Sequence, residues 1–200
     1  MAKKSMNNQG IGEKIKRQRI KDDLISDFNA SIDQRVNRYM EIGHQWIIGN
    51  HHFAEASSEC INVYRDGYFI AAVMMSHSIN EGIIVFVAGR VKLPKHKSDG
   101  SAKSIEELIS ELEQQKTMSK ACADASRGIY GSYRNDIHHM NPKIGSINFC
   151  SLARENLKRL AMIEKEIFGA DVIEGRLRPH HPVYWDLNAD GTVSAFLRLE

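Results

Sequence analysis

Apolar residues recur at helical spacing along most of this chain, and the intervals between them divide it into elements. From Gly12 to Phe28, Ile15, Ile20, Leu24 and Phe28 fall on one side, while Lys14, Arg17 and Lys21 lie elsewhere. A second helical run carries Ile32, Val36, Tyr39, Met40 and Trp46. Phe53 to Arg65 is helix-like and ends at the Asp66-Gly67 punctuation. Tyr68 to Arg90 is apolar on nearly every side, the pattern of a helix covered by its neighbours. Residues 91–103 mix proline, glycine, serines and lysines and form the clearest loop. Ser104 followed by Glu107 is a capping-box spacing, in which each side chain satisfies an orphan amide at a helix start. The helix it opens turns Ile105, Leu108, Ile109 and Leu112 inward. After a break near Gln115 to Met118, helix is expected through Ala121 to about Ile137, because Pro142 forbids continuation. A further helix covers roughly Ser146 to Phe168, with Leu152, Leu157, Leu160, Ile163 and Ile167 inward and Gly169 closing it.

The last thirty residues change period. Residues 182–187 and 192–199 read as two strands around an Asn188-Ala-Asp-Gly191 turn. The expected fold is an all-α, up-and-down bundle of about five helices with a short C-terminal β-hairpin. Residues 1–11, polar and aperiodic, are expected to form a loose tail; 12–169 form the bundle and 170–200 the extension.

Composition narrows the class. Of the 200 residues, 42% are hydrophobic and 26% charged, which excludes wholesale disorder. A net charge of +2 is too small to argue for nucleic acid, so any such binding must come from a local patch. Three widely spaced cysteines, with no CxxC pair, fit buried free thiols in a reducing compartment better than a disulfide framework. The N-terminus lacks the apolar core of a signal peptide. Tyr68 to Val91 is long enough to span a bilayer, yet His77, Asn80 and Glu81 near its centre would be costly in lipid. A cytoplasmic protein without membrane contact is expected.

The densest chemistry is Arg134-Asn135-Asp136-Ile137-His138-His139. It sets a permanent cation with a fork matched to phosphate beside the side chains best suited to move a proton near neutrality. The order and spacing, Arg134-Asn135-x-x-x-His139, resemble the RNxxxH signature of HEPN domains, all-helical modules found in prokaryotic toxin and defence ribonucleases. The resemblance covers roughly residues 30–169. It implies metal-independent RNA cleavage without a cofactor, in which a 2′-hydroxyl attacks the adjacent phosphorus. On that footing His139 is the general acid or base, Arg134 binds the phosphate, Asn135 orients either, and His138 assists. It also implies a homodimer in which two motifs face one cleft, and a cognate antitoxin or other protein partner. Taken as a helix, residues 134–139 put Arg134 and His138 on one face and turn His139 away, so His138 competes for the proton-transfer role. The duller explanation of the cluster is a complement to a helix C-terminal dipole. The alternative in function is a non-catalytic module binding a nucleotide or a protein.

Other candidates are weaker. His77 and Glu81, at i and i+4, could present two metal ligands, but a third is not apparent and a core histidine is the commoner outcome. Glu81 could instead support the RNDIHH motif from a neighbouring helix and contribute to substrate binding. Two basic runs, Lys14 to Lys21 and Arg90 to Lys97, could track an RNA backbone, with Arg90, Lys92 and Lys95 as candidate phosphate contacts; solvated surface explains them equally well. Asp186-Leu-Asn188-Ala-Asp190-Gly191 matches half of a calcium loop, but Leu197 stands where a bidentate glutamate is needed. The doublets His51-His52 and His180-His181 look like surface or loop residues. No resident metal is expected.

Overall fold

The computed structural model describes residues 2–190 and 192–198, with side chains from residue 11 onward. Among the described residues seven α-helices follow in order: α1 Ala2–Ile42, α2 Ala54–Arg65, α3 Phe69–Arg90, α4 Ile105–Gln114, α5 Lys120–Tyr130, α6 Arg134–His138 and α7 Phe149–Phe168. Four short strands accompany them: β1 Ile47–Gly49, β2 Ala170–Ile173, β3 Arg176–Pro179 and β4 Ala195–Leu197. The fold is a helical bundle with a C-terminal hairpin.

Helix α3 is the centre. It packs against α2, α4, α5 and α7, and Val73, Ile79, Ile83, Ile84 and Val87 are buried along it. Its near-continuous apolarity reflects neighbours on several sides. Helix α7 contributes Leu157, Leu160, Ile163 and Ile167, as its spacing requires. The capping box of α4 forms as expected: Glu107 N–H donates to Ser104 Oγ at 3.2 Å, and Ser104 N–H donates to Glu107 Oε2 at 2.8 Å. With Lys97 also paired to it, the Glu107 carboxyl is held down at about 2. Gly67, at φ 91°, ends α2 in a left-handed turn, the backbone role the Asp-Gly pair implied.

Four expectations need correction. The two N-terminal runs are one helix, and residues 2–11, expected to be a loose tail, belong to it. Nothing between Gly12 and Ile42 interrupts the backbone: no proline occurs, and Ser31 Oγ merely bonds back to Asp27 O at 2.8 Å. Trp46 is not helical, because Gly43 at φ 65° stops α1. The helix expected to reach Ile137 ends at Tyr130, and residues 142–146 form a 3₁₀ turn ahead of α7. Finally, the C-terminal hairpin pairs differently from its sequence pattern. Its tip holds, with Asn188 N–H bonded to Thr192 O and Ser194 N–H to Asp186 O, each at 2.8 Å. Its outer strand β4, however, runs antiparallel to β1, and residues 182–184 form a 3₁₀ turn. A second hairpin, β2 with β3, turns through Glu174 and Gly175 at φ 52° and 72°.

Candidate functional site

The RNDIHH motif forms a helix of its own, set apart from α5 by residues 131–133. Tyr133, at φ 56°, is left-handed, an uncommon state for a bulky residue, and it starts α6 at Arg134. The far end closes on a left-handed Met140, where Met140 N–H bonds to Ile137 O at 3.2 Å and Asn141 N–H to Asp136 O at 2.9 Å. Pro142 then prevents continuation. The motif is thereby confined to little more than one turn.

That turn lies against α3 through two interlocked pairs. Arg134 Nη2 donates to Glu81 Oε2 at 2.9 Å, and His138 Nε2 sits 3.4 Å from His77 Nδ1. Both pairs have i, i+4 spacing, so Arg134 and His138 meet Glu81 and His77 in antiparallel order. The guanidinium also stacks over Tyr130, 5.5 Å from the ring centroid. Asn135 and His139, again i and i+4, take the outward side, and both are exposed. Arg134, Asn135 and Asp136 line a surface concavity of about 310 Å³ together with Tyr130, Gly131 and Tyr133.

Behind the motif is a buried polar network. His77 is 1% exposed, and its Nε2 lies 2.9 Å from Ser132 Oγ. The Ser132 hydroxyl donates its one proton to Ile129 O, so toward His77 it acts as acceptor. Asn156 Nδ2 donates to Ser132 Oγ and to Ser76 Oγ, each at 3.1 Å. Burial, and then the nearby His138 and Arg134, push the His77 pKa down to about 4. A neutral His77 with its proton on Nε2 leaves Nδ1 free to accept from His138 Nε2. The buried network thus fixes which face His138 presents.

The other sequence candidates lie apart. Arg90 is ion-paired with Asp186 and covers Phe86 at 4.9 Å. Lys92, at φ 57°, serves as the left-handed residue after α3, and Lys95 is exposed in the loop beyond. None of the three lines the concavity at Arg134; along α3, Arg90 stands about 13 Å from Glu81 by helical rise. Lys14, Lys16, Arg17, Arg19 and Lys21 are exposed on α1. His77 and Glu81 both face α6, and no group of three or more metal-ligating side chains gathers among the described residues. The half-calcium motif is spent on its own turn: Asp190 Oδ1 accepts from Thr192 N–H at 3.0 Å and from Thr192 Oγ1 at 2.7 Å. His51 corrects the surface expectation for its doublet. It stacks on Phe53 at 3.6 Å and Phe168 at 4.5 Å, and burial drives its pKa down to about 3. His52 is exposed and His180 pairs with Asp171 at 3.0 Å. Cys60 and Cys122 are buried free thiols, and Cys150 is half-buried.

The sequence reading missed Tyr130, Ser132 and Asn156. Two signals were present: Gly131-Ser132 is a break in a helical pattern, and Asn156 is a polar residue among the inward positions of α7. Comparison with protein-family models, with curated proteins and with solved structures found no match.

Proposed function

We propose that this protein is a metal-independent endoribonuclease of the HEPN kind, with RNA as substrate and Arg134, Asn135 and His139 as its working residues. The carrying observation is the double clasp of α6 on α3. Arg134 and His138 meet Glu81 and His77 of α3, Asn135 lines the concavity with Arg134, and His139 is exposed at the end of the same turn. In this reading Arg134 binds the scissile phosphate and stabilises the charge that builds on it. Asn135 donates an amide hydrogen bond to the same group. His139, with no side-chain hydrogen bond among the described residues, exchanges a proton with the 2′-hydroxyl or the leaving oxygen. His138, oriented by His77, positions the turn. Two such motifs facing one cleft across a homodimer, with an antitoxin controlling access, complete the proposal.

The test is cleavage of a mixed RNA substrate in the presence of a chelator. Cleavage is expected to persist in EDTA and to fall by about 10²- to 10⁴-fold in His139→Ala, with a comparable loss in Arg134→Ala, while circular dichroism stays unchanged. Undiminished cleavage in both variants overturns the reading.

One observation favours a second reading, a module that binds a nucleotide or a protein without cleaving. The Arg134 guanidinium is already ion-paired with Glu81, which offsets part of its charge toward a phosphate. That reading expects no cleavage by the wild type, with binding that Arg134→Ala weakens.

A further inference from the structure

One strip of the α1 surface is basic toward its N-terminal part and aromatic toward its C-terminal part. At about 100° per residue, Lys14, Arg17, Lys21, Phe28, Arg35 and Tyr39 fall within about 60° of one another. Two surface concavities follow the strip. Lys14, Arg17 and Lys21 line one of about 600 Å³, and Phe28, Arg35, Tyr39 and Trp46 line the other, of about 530 Å³. The carboxylates of the helix lie elsewhere: Asp22, Asp23, Asp27 and Asp33 are at least about 80° outside the strip, and Glu13 is about 40° outside. Lys14, Arg17 and Lys21 form no ion pair among the described residues. Arg35, by contrast, is spent on ordering the groove, paired with Asp66 at 2.8 Å and laid over Phe28 at 5.0 Å.

The aromatic half is held rigidly. Trp46 is 52% exposed, yet Arg198 N–H donates to Trp46 O and Arg198 Nη1 to Gln45 O, each at 2.9 Å. Tyr39 meets the indole edge-on, with ring centroids 6.0 Å apart. A ring fixed from behind and open in front offers a stacking face at little further cost in conformational entropy. Free cations in a row, leading to an exposed ring, are the two components by which proteins grip single-stranded nucleic acid. A lipid surface or a partner helix would need one continuous apolar face. Residues 11–25 have none, because Ile11 and Ile15 lie on the side of α1 opposite Ile20 and Leu24.

We propose that this strip of α1 binds single-stranded RNA, with Lys14, Arg17 and Lys21 on its phosphates and an unpaired base stacked on Trp46. From Lys14 to Tyr39 the helix rises about 37 Å, room for several extended nucleotides. The choice of RNA over DNA rests on the ribonuclease reading; the strip itself shares no residue with the concavity at Arg134.

The experiment is fluorescence anisotropy on the full chain with a short, labelled, unstructured 2′-O-methyl RNA, which lacks the attacking hydroxyl and stays intact. Arg17→Gln with Lys21→Gln is expected to make the dependence of log affinity on log salt shallower by about 1.4. Lys16→Gln with Arg19→Gln removes the same charge from outside the strip and is expected to leave that dependence nearly unchanged. Trp46→Ala is expected to weaken binding about 5- to 100-fold. Trp46→Phe is expected to keep binding but lose most of the RNA-induced tryptophan quenching, since Trp185 is buried. A wild type that does not bind the RNA overturns the proposal, as does equal loss from the two charge pairs or indifference to Trp46→Ala. Tighter binding of single-stranded DNA, duplex RNA or anionic lipid vesicles overturns it too. Strip-dependent binding without any RNA cleavage supports this proposal and removes the ribonuclease reading, whereas cleavage with binding indifferent to the strip does the reverse.

Discussion

Two arginine–glutamate pairs join distant parts of this chain at nearly the same distance, and their surroundings give them opposite uses. Arg198 meets Glu164 at 2.8 Å with side chains only 3% and 2% exposed. Its guanidinium also donates to Ser57 Oγ at 2.6 Å and to Gln45 O at 2.9 Å, which ties the residue after β4 to the start of β1, to α2 and to α7. Arg134 meets Glu81 at 2.9 Å with side chains 33% and 35% exposed, and Arg134 lines an open surface concavity. Away from water, a charge without its partner is expensive, so the first pair is a clamp. At the surface, solvent screens the attraction and the pair holds a guanidinium in place while leaving it open to an anion. Burial decides the role.

The largest effect expected from this contrast is at the clamp. Arg198→Ala leaves Glu164 charged and buried without its partner and should cost about 3–5 kcal/mol in chemical denaturation. Replacing both members by apolar residues, Arg198→Met with Glu164→Leu, should recover most of that loss; a double variant as unstable as the single one would deny that the stranded charge is the cause. Next comes acidity at the buried histidine behind the motif. The His77 pKa is about 4 in the folded chain, below its ordinary 6.5. Above pH 6.5 the group is neutral folded or unfolded, and its stabilising difference is fully present. As pH falls from 6.5 to 4 the unfolded chain takes the proton first, and stability drops by about 3 kcal/mol. His77→Gln should flatten that part of the stability profile, and an unchanged slope would shift the blame to His51 or to paired carboxylates. The smallest effect belongs to the open pair: Arg134→Ala should lower stability by less than about 1 kcal/mol. A loss approaching that of Arg198→Ala would make Arg134 a structural clamp as well and erase the distinction.

Much of the scaffold was legible in the chain. The apolar run of α3, the capping box at Ser104 and Glu107, the Asp66-Gly67 stop and the inward row of α7 are local patterns, and the structure repeats them. The site was legible in part. The RNDIHH cluster announces its chemistry, and Arg134 with His138 on one side follows from helical spacing alone. Ser132, Asn156 and Tyr130 were not legible as site residues. The Gly131-Ser132 break and a polar Asn156 among inward positions mark irregularities, but no local pattern says that these side chains gather behind His77 and Arg134. The strand pairing failed for a related reason. β4 alternates convincingly, yet its partner β1 is some 150 residues earlier, and no local pattern encodes that distance.

By itself the sequence determined some helix boundaries, the Ser104 start of α4 and the Asp66-Gly67 stop of α2 among them, which positions are apolar, and that one short stretch concentrates a guanidinium with two imidazoles. Those are properties of neighbouring residues, fixed by backbone geometry and side-chain type. Only the tertiary structure decided that Arg134 rests on Glu81 while Arg198 is sealed against Glu164, that His77 is neutral behind His138, and that residues 11–30 of α1 stand exposed while its C-terminal end packs on α2 and α7. Each of these depends on which surfaces exclude water, and water is excluded by residues far away in the chain.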